Sequence, residues 1–222
     1  MFDSIAHRYD FLNHFLSLGI DKIWRRKIVR LAKELPSGAQ ILDVATGTAD
    51  LAIALSMLRD VHIIGVDISA GMLAIGKRKV EDKKLDEIIQ LQQADSEKLP
   101  FDDDSFHLAT AAFGVRNFEH LEKGLSEMYR VVKNGGRAII LEFSKPAVFP
   151  VKQMYNLYFR YWLPFIGRLF SRDKRAYTYL PESVQEFPED QDFLNKMKKV
   201  GFHSMRQKRL SFGIASLYIG YK

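Results

Sequence analysis

With 222 residues, 47% of them hydrophobic, the chain has the length and composition of one globular domain with a full core. It has no Cys, which excludes a disulfide framework, a thiolate metal site and a thiol nucleophile. A formal charge of +6 permits contact with nucleic acid or with an anionic membrane surface and does not choose between them. The first residues, Met1-Phe2-Asp3-Ser4-Ile5-Ala6-His7-Arg8, lack the apolar core of a signal peptide, and no run approaches the ~20 apolar residues that span a bilayer. The expectation is a cytoplasmic protein.

Taken in chain order, residues 1–35 read as helical: Trp24 to Lys33 mixes basic residues with Ile28, Val29 and Leu31, and Pro36-Ser37-Gly38 stops the run. A strand is expected over 41–45, a helix over about 49–58, a strand over 61–66, a helix over about 69–83 and a strand over 88–93. After the acidic turn Leu99-Pro100-Phe101-Asp102-Asp103-Asp104 come a strand at 106–112, a helix over about 121–132, the turn Lys133-Asn134-Gly135-Gly136 and a strand at 137–143. This alternation marks parallel βαβ units. Residues 144–199 break the rhythm as an insertion of their own character. Two β-like runs, Phe202 to Leu210 and Phe212 to Tyr221, close the chain with no room for a crossover helix, so they should pair antiparallel at the sheet edge. A mostly parallel α/β sheet ending in such a hairpin is the Rossmann-like fold of class I S-adenosylmethionine (SAM)-dependent methyltransferases. One domain over 1–222 is expected, with 1–35 as a helical lid.

The segment Ile41-Leu42-Asp43-Val44-Ala45-Thr46-Gly47-Thr48-Ala49-Asp50 is the most informative stretch. It is an apolar strand carrying an acid, then a turn of small residues, then a helix start, so a ligand can lie against the backbone and meet free N–H donors. The next strand, Val61-His62-Ile63-Ile64-Gly65-Val66, ends in Asp67, placed to accept hydrogen bonds from a ribose diol. The small positions Ala45, Gly47 and Ala49 do not make the G-x-G-x-x-G of a dinucleotide site, and Asp43 would repel a pyrophosphate. A ligand with a sulfonium and an amino group suits that acid better, which favours SAM over NAD. Asp95 follows the third strand, at the same carboxyl edge where ligands of open α/β sheets collect.

Further motifs stand in order along the chain: Phe2-Asp3-Ser4-Ile5-Ala6-His7-Arg8-Tyr9-Asp10-Phe11-Leu12-Asn13, then Ser17-Leu18-Gly19 and Trp24-Arg25. Phe113-Gly114-Val115-Arg116-Asn117, Arg130-Val131-Val132-Lys133-Asn134-Gly135-Gly136 and Glu142-Phe143-Ser144-Lys145-Pro146 follow. In these the chain resembles the ubiquinone/menaquinone-biosynthesis C-methyltransferases over nearly its whole length. It departs from them at Asp21, where many members have His, at Asn134 in place of Pro, and at Ala112, where some carry a Ser beside the cofactor. The resemblance implies transfer of a methyl group from SAM to a ring carbon of a polyprenylated hydroquinone, either demethylmenaquinol or a ubiquinone precursor. By position, Thr48 would meet the cofactor in the turn with Asp43 and Gly47, Asp67 would hold the ribose, and Asp95 and Ser96 would lie beside the adenine.

Carbon methylation needs a ring made electron-rich by loss of a hydroxyl proton, so alignment, water exclusion and proton transfer are the protein's tasks. Arg116 and Asn117 follow the fourth strand and are candidates to stabilise a phenolate and hold a quinol oxygen. Tyr9 and Asp10 are candidates to fold over the site, and His7 and His14 are candidates for a base, with a structural role as the alternative for each. No cluster has metal-ligand spacing. Met154, Leu157, Tyr158, Tyr161, Trp162 and Phe165 form one helical stripe, beside Lys152, Arg160 and Arg168 and without an acid between Glu142 and Asp173. That pattern fits either a buried packing helix or an anionic membrane surface at a prenyl-substrate entrance.

A nucleic-acid methyltransferase would share the fold and charge. Without Cys the usual route to cytosine carbon 5 is closed, and no Pro-Pro exists for the common amino-methylation motif, so no nucleic-acid partner is expected. A small-molecule O- or N-methyltransferase and a non-enzymatic quinone- or lipid-binding module remain as alternatives. Oligomeric state is not encoded in any pattern found.

Overall fold

A computed structural model describes residues 19–157 and 183–222. Its strands are β1 (Ala39–Val44), β2 (Val61–Asp67), β3 (Ile89–Gln93), β4 (Phe106–Ala112), β5 (Val132–Phe143), β6 (His203–Leu210) and β7 (Ala215–Tyr221). The helices are α1 (Asp21–Leu31), α2 (Asp50–Leu55), α3 (Ala70–Asp82), α4 (Leu121–Val131), α5 (Val151–Leu157) and α6 (Gln191–Lys199).

The described strands form one seven-stranded sheet in the order β3-β2-β1-β4-β5-β7-β6. Strands β1 to β5 run parallel, and β7 is antiparallel to both β5 and β6. The chain winds outward one way from β1 through β2 to β3 and the other way from β4 to β5. The point where the direction reverses lies between β1 and β4, and there a crevice opens at the carboxyl ends of the strands.

Both faces of the sheet are covered because neighbouring strand residues point to opposite sides. Ile41, Leu108, Ile139 and Leu141 pack with Trp24 and Ile28 of α1, with Ala32 just after it, and with Leu51 and Leu55 of α2. Leu42, Ala109, Ala138 and Ile140 face the other way, onto Leu125 and Met128 of α4 and Phe193 and Met197 of α6. Along α1 and onto the residue that caps it, the apolar positions Trp24, Ile28 and Ala32 recur every fourth residue, which makes the stripe that docks. Trp24 sits within 6.0 Å of Phe113 and 6.2 Å of Phe143, ring to ring, and its indole N–H donates to Ser211 Oγ at 2.9 Å. Those contacts set α1 across the carboxyl ends of β4 and β5.

Several boundaries differ from the sequence expectation. Strand β5 begins at Val132, not at 137, because Val132 pairs with Phe106 before the register jumps to Leu108 opposite Arg137. The expected turn Lys133–Gly136 is absorbed as a bulge, with Gly135 at φ +78°. Helix α2 stops at Leu55, short of 58. In the closing hairpin β6 takes the edge while β7 lies between β5 and β6. Within 144–199, α6 buries Phe193 and Met197 against Tyr218 and Phe202, so that part of the insertion is core. Among the described residues no helix is long and apolar enough to cross a membrane.

Candidate active site

The turn after β1 alternates through left-handed backbone: Ala45 at φ +52°, Gly47 at φ +56° and Ala49 at φ +66°. For a residue with a Cβ that conformation costs about 1–2 kcal/mol, so it survives only where neighbours hold it. Here they do. The Thr46 N–H donates to Val66 O at 2.9 Å, and Thr46 Oγ1 donates to Asp43 Oδ2 at 2.6 Å. The Gly47 N–H donates to Asp67 Oδ2 at 2.8 Å, and Lys79 Nζ of α3 donates to Thr48 Oγ1 at 2.9 Å. From the far side Gly114 leaves no room for a side chain, since a Cβ there would lie 2.5 Å from Ala45 Cβ. The small residues therefore serve two purposes: they let loops meet and leave backbone open to a ligand.

The turn forms one wall of a cavity of about 240 Å³ at the reversal point of the sheet. Asp43, Gly47, Thr48, Asp67, Asp95, Ser96 and Asn117 all line it, so the residues singled out for the cofactor converge in one place. Asp43 is buried and accepts from Thr46 and from Thr110 Oγ1 at 2.8 Å. Burial pushes its carboxyl up from 3.8 to about 6, against the pull of the two hydroxyls and Arg25. Asp67 also accepts from the Ser69 N–H at 2.9 Å, so backbone donors of the turn and of the segment after β2 orient both of its carboxylate oxygens. Asp95 Oδ1 accepts from the Glu97 N–H at 2.9 Å, fixing the loop that carries Ser96. Ala112 lines the cavity too, without a hydroxyl to offer.

Arg116 lies elsewhere. Its guanidinium is buried and donates through Nη1 to Glu142 Oε1 and to Phe113 O, each at 2.5 Å, while it rests 5.4 Å over the Phe143 ring. It does not line the cavity, and its charge is met by a Glu142 that is itself fully buried. Its neighbour Asn117 does line the cavity, and the Asn117 N–H donates to Gly114 O at 3.0 Å. Tyr9, Asp10, His7 and His14 lie outside the described residues, as do Tyr158, Trp162, Arg160 and Arg168.

Some cavity residues carry no clear signal in the sequence. Arg25 of α1 reaches the cavity and ion-pairs with Asp21, one helical turn earlier. Glu97 is buried in the wall, and the His120 N–H at 2.6 Å holds its carboxyl below the usual range. Arg25 stands in the Trp24-Arg25 motif and at i,i+4 spacing from Asp21, but the motif assigns it no role and the spacing describes a helix surface rather than a site.

The charge of the wall tests which ligand fits. Asp43, Asp50, Asp67, Asp95, Glu97 and Glu119 line the cavity, and Arg25 is the one basic residue of the described chain that does. A pyrophosphate would meet repulsion there. A ligand bearing a sulfonium, an ammonium, a diol and a single carboxylate is complementary, which is the composition of SAM.

Comparison with known proteins agrees. The profile of the ubiE/COQ5 methyltransferase family matches residues 1–222. A demethylmenaquinone methyltransferase of Bacteroides fragilis is 48% identical over 223 residues, covering 100% of this chain and 91% of its own. A ubiquinone/menaquinone biosynthesis C-methyltransferase UbiE of Geotalea daltonii is 50% identical over 224 residues, covering 100% and 94%. Among solved structures, a putative SAM-dependent methyltransferase of Methanococcus maripaludis superposes with TM-score 0.70 at 21% identity, covering 99% of this chain and 93% of its own. A possible histamine N-methyltransferase of Thermotoga maritima gives TM-score 0.70 at 19% identity, covering 100% and 98%. At such identities these structures bear on the fold alone.

Proposed function

Because this chain belongs to the ubiE/COQ5 methyltransferase family, we propose that it methylates a ring carbon of a polyprenylated hydroquinone, demethylmenaquinol to menaquinol. The corresponding ubiquinone-precursor benzoquinol is the second substrate to test. The chain is a methyltransferase, and SAM is the cofactor that supplies the methyl group. The observation that carries the substrate reading is the full-length identity of about half to proteins named for those reactions.

The residues divide the work as follows. Gly47 and Thr48 present the turn to the cofactor, Asp67 takes the ribose, Asp95 and Ser96 stand at the adenine, and Asp43 faces its positive end. Asn117, at the cavity wall, is the proposed hydrogen-bond partner of a quinol oxygen, with Tyr9 closing over it. Arg116 is proposed as a positioning residue. Its ion pair with Glu142 ties the loop carrying Asn117 to the end of β5. The apolar residues Val148, Phe149, Met154 and Leu157 are exposed just beyond that edge, and so is Phe212 in the β6–β7 turn. Pro146 lies against Gly213, which brings these two segments together. With Lys145 and Lys152 nearby, they support contact with an anionic membrane surface, where a prenyl tail resides.

The test supplies methyl-labelled SAM with reduced demethylmenaquinone, with the reduced ubiquinone precursor, and with each oxidised quinone. Label is expected in the reduced menaquinone precursor. Label confined to the benzoquinol would shift the substrate, and label in neither would overturn the reading.

A further inference from the structure

We propose that Arg25 binds the carboxylate at the methionyl end of the cofactor, a subsite that none of the residues in the Gly47 turn supplies. The proposal rests on SAM being the ligand of this cavity and goes beyond that reading by assigning the one charge of SAM left without a partner. SAM is a cation at sulfur, a cation at its amino group and an anion at its carboxylate. The cavity wall has acids in abundance for the first two. For the third it has, among the described residues, Arg25.

The surroundings of Arg25 are built around its charge. Its side chain is 10% exposed and its guanidinium pairs with Asp21, which is buried, and lies 3.6 Å from Asp50. The Phe113 ring, another wall of the cavity, stands 5.9 Å from the guanidinium carbon. Asp50 is also held by Lys79 at 2.9 Å, and Lys79 grips Thr48 at the same distance. A chain of charges thus runs from α1 into the cofactor turn. The contacts to Asp21 and Asp50 both run through Nη1, while Nε is buried without a hydrogen-bond partner. A guanidinium has five N–H donors, so it can hold Asp21 and a ligand carboxylate together. Arg25 also acts on Asp43 through space, drawing its carboxyl down. A cation and a carboxylate that interact across one cavity are matched to the ammonium and carboxylate of an amino-acid end.

The experiment compares SAM with decarboxylated SAM, which lacks only the carboxylate, by calorimetry on the full chain. Wild type should bind SAM at least about tenfold more tightly, the value of one charge-assisted hydrogen bond. Arg25→Gln, made together with Asp21→Asn so that no buried carboxylate is stranded, should weaken SAM about ten- to hundredfold and leave decarboxylated SAM within twofold. A role confined to packing would weaken both ligands alike, and that result overturns the proposal. Equal affinity of wild type for the two ligands overturns it without any variant, whether or not the variant folds. If wild type binds neither, the cofactor reading itself falls with it.

Discussion

Asp43 carries opposing demands. Burial favours its neutral acid, while a cationic ligand needs it ionised. Its carboxyl is raised to about 6 in the fold, above its ordinary value of 3.8. A raised acid stabilises the fold fully below its unfolded value, and that contribution is lost as pH rises through about 6. The ligand-free protein should therefore lose stability between about pH 4 and 7, and Asp43→Asn should flatten that slope in urea unfolding. SAM affinity should move the other way, rising up to about tenfold per unit until pH passes about 6, with protons released on binding. Calorimetry in buffers of different ionisation heat reads that release, and proton uptake would contradict it. At Asp67, replacement by Ala removes the acceptor for the Gly47 N–H together with that for a ribose, so SAM affinity should fall at least about tenfold. Unchanged affinity would sink the ribose assignment. Arg116 and Glu142 are both buried, and removing one partner of such a pair costs about 3–5 kcal/mol. Arg116→Ala should lose that much in urea unfolding, and a loss below about 1 kcal/mol would mean that the pair does not hold the loop.

At the scale of elements, the site depends on how closely the β1 turn and the loop after β4 approach. Gly114→Ala would place a methyl group 2.5 Å from Ala45 Cβ, so one loop must move. Such overpacking costs about 1–3 kcal/mol, and SAM affinity should fall with stability. Full affinity in that variant would show that the turn tolerates displacement. The elements themselves were legible where apolar runs met turn residues on both sides: β2 and β4 fall within a residue of expectation. Lys133–Gly136 misled because a bulge and a turn share Gly and Asn, and only pairing of Val132 with Phe106 tells them apart. The meeting of Asp43, Gly47, Thr48, Asp67, Asp95 and Ser96 at one cavity was legible because strand tips and a small-residue turn are local patterns. The partnership of Arg116 with Glu142 was not, since parallel pairing of β4 with β5 creates it. Arg25 was hidden for the same reason: periodicity gives α1 a docking stripe but not the place where it docks, and the contact of Trp24 with Phe113 carries Arg25 into the cavity.

At the scale of the molecule, cofactor cavity, Asn117 and the exposed apolar residues all sit at the carboxyl edge of one sheet. Under the proposed membrane reading, that common edge would let the enzyme take a substrate by its ring while the tail stays in lipid. Vesicle flotation should show binding to anionic vesicles that weakens with salt, at about 1 kcal/mol per basic residue near the surface. Phe149→Ser with Phe212→Ser should reduce it, as should Arg160→Glu with Arg168→Glu, while SAM binding stays unchanged. No flotation of wild type at low salt would exclude the membrane surface. The central claim is transfer of a methyl group from SAM to a ring carbon, and locating the methyl group in the product tests it most directly. Demethylmenaquinol is incubated with the enzyme and SAM carrying carbon-13 in its methyl group, and the purified product is read by carbon NMR. The label should appear as a methyl group bonded to a ring carbon. A label appearing as a methoxy carbon, or no label in the quinone, would contradict it.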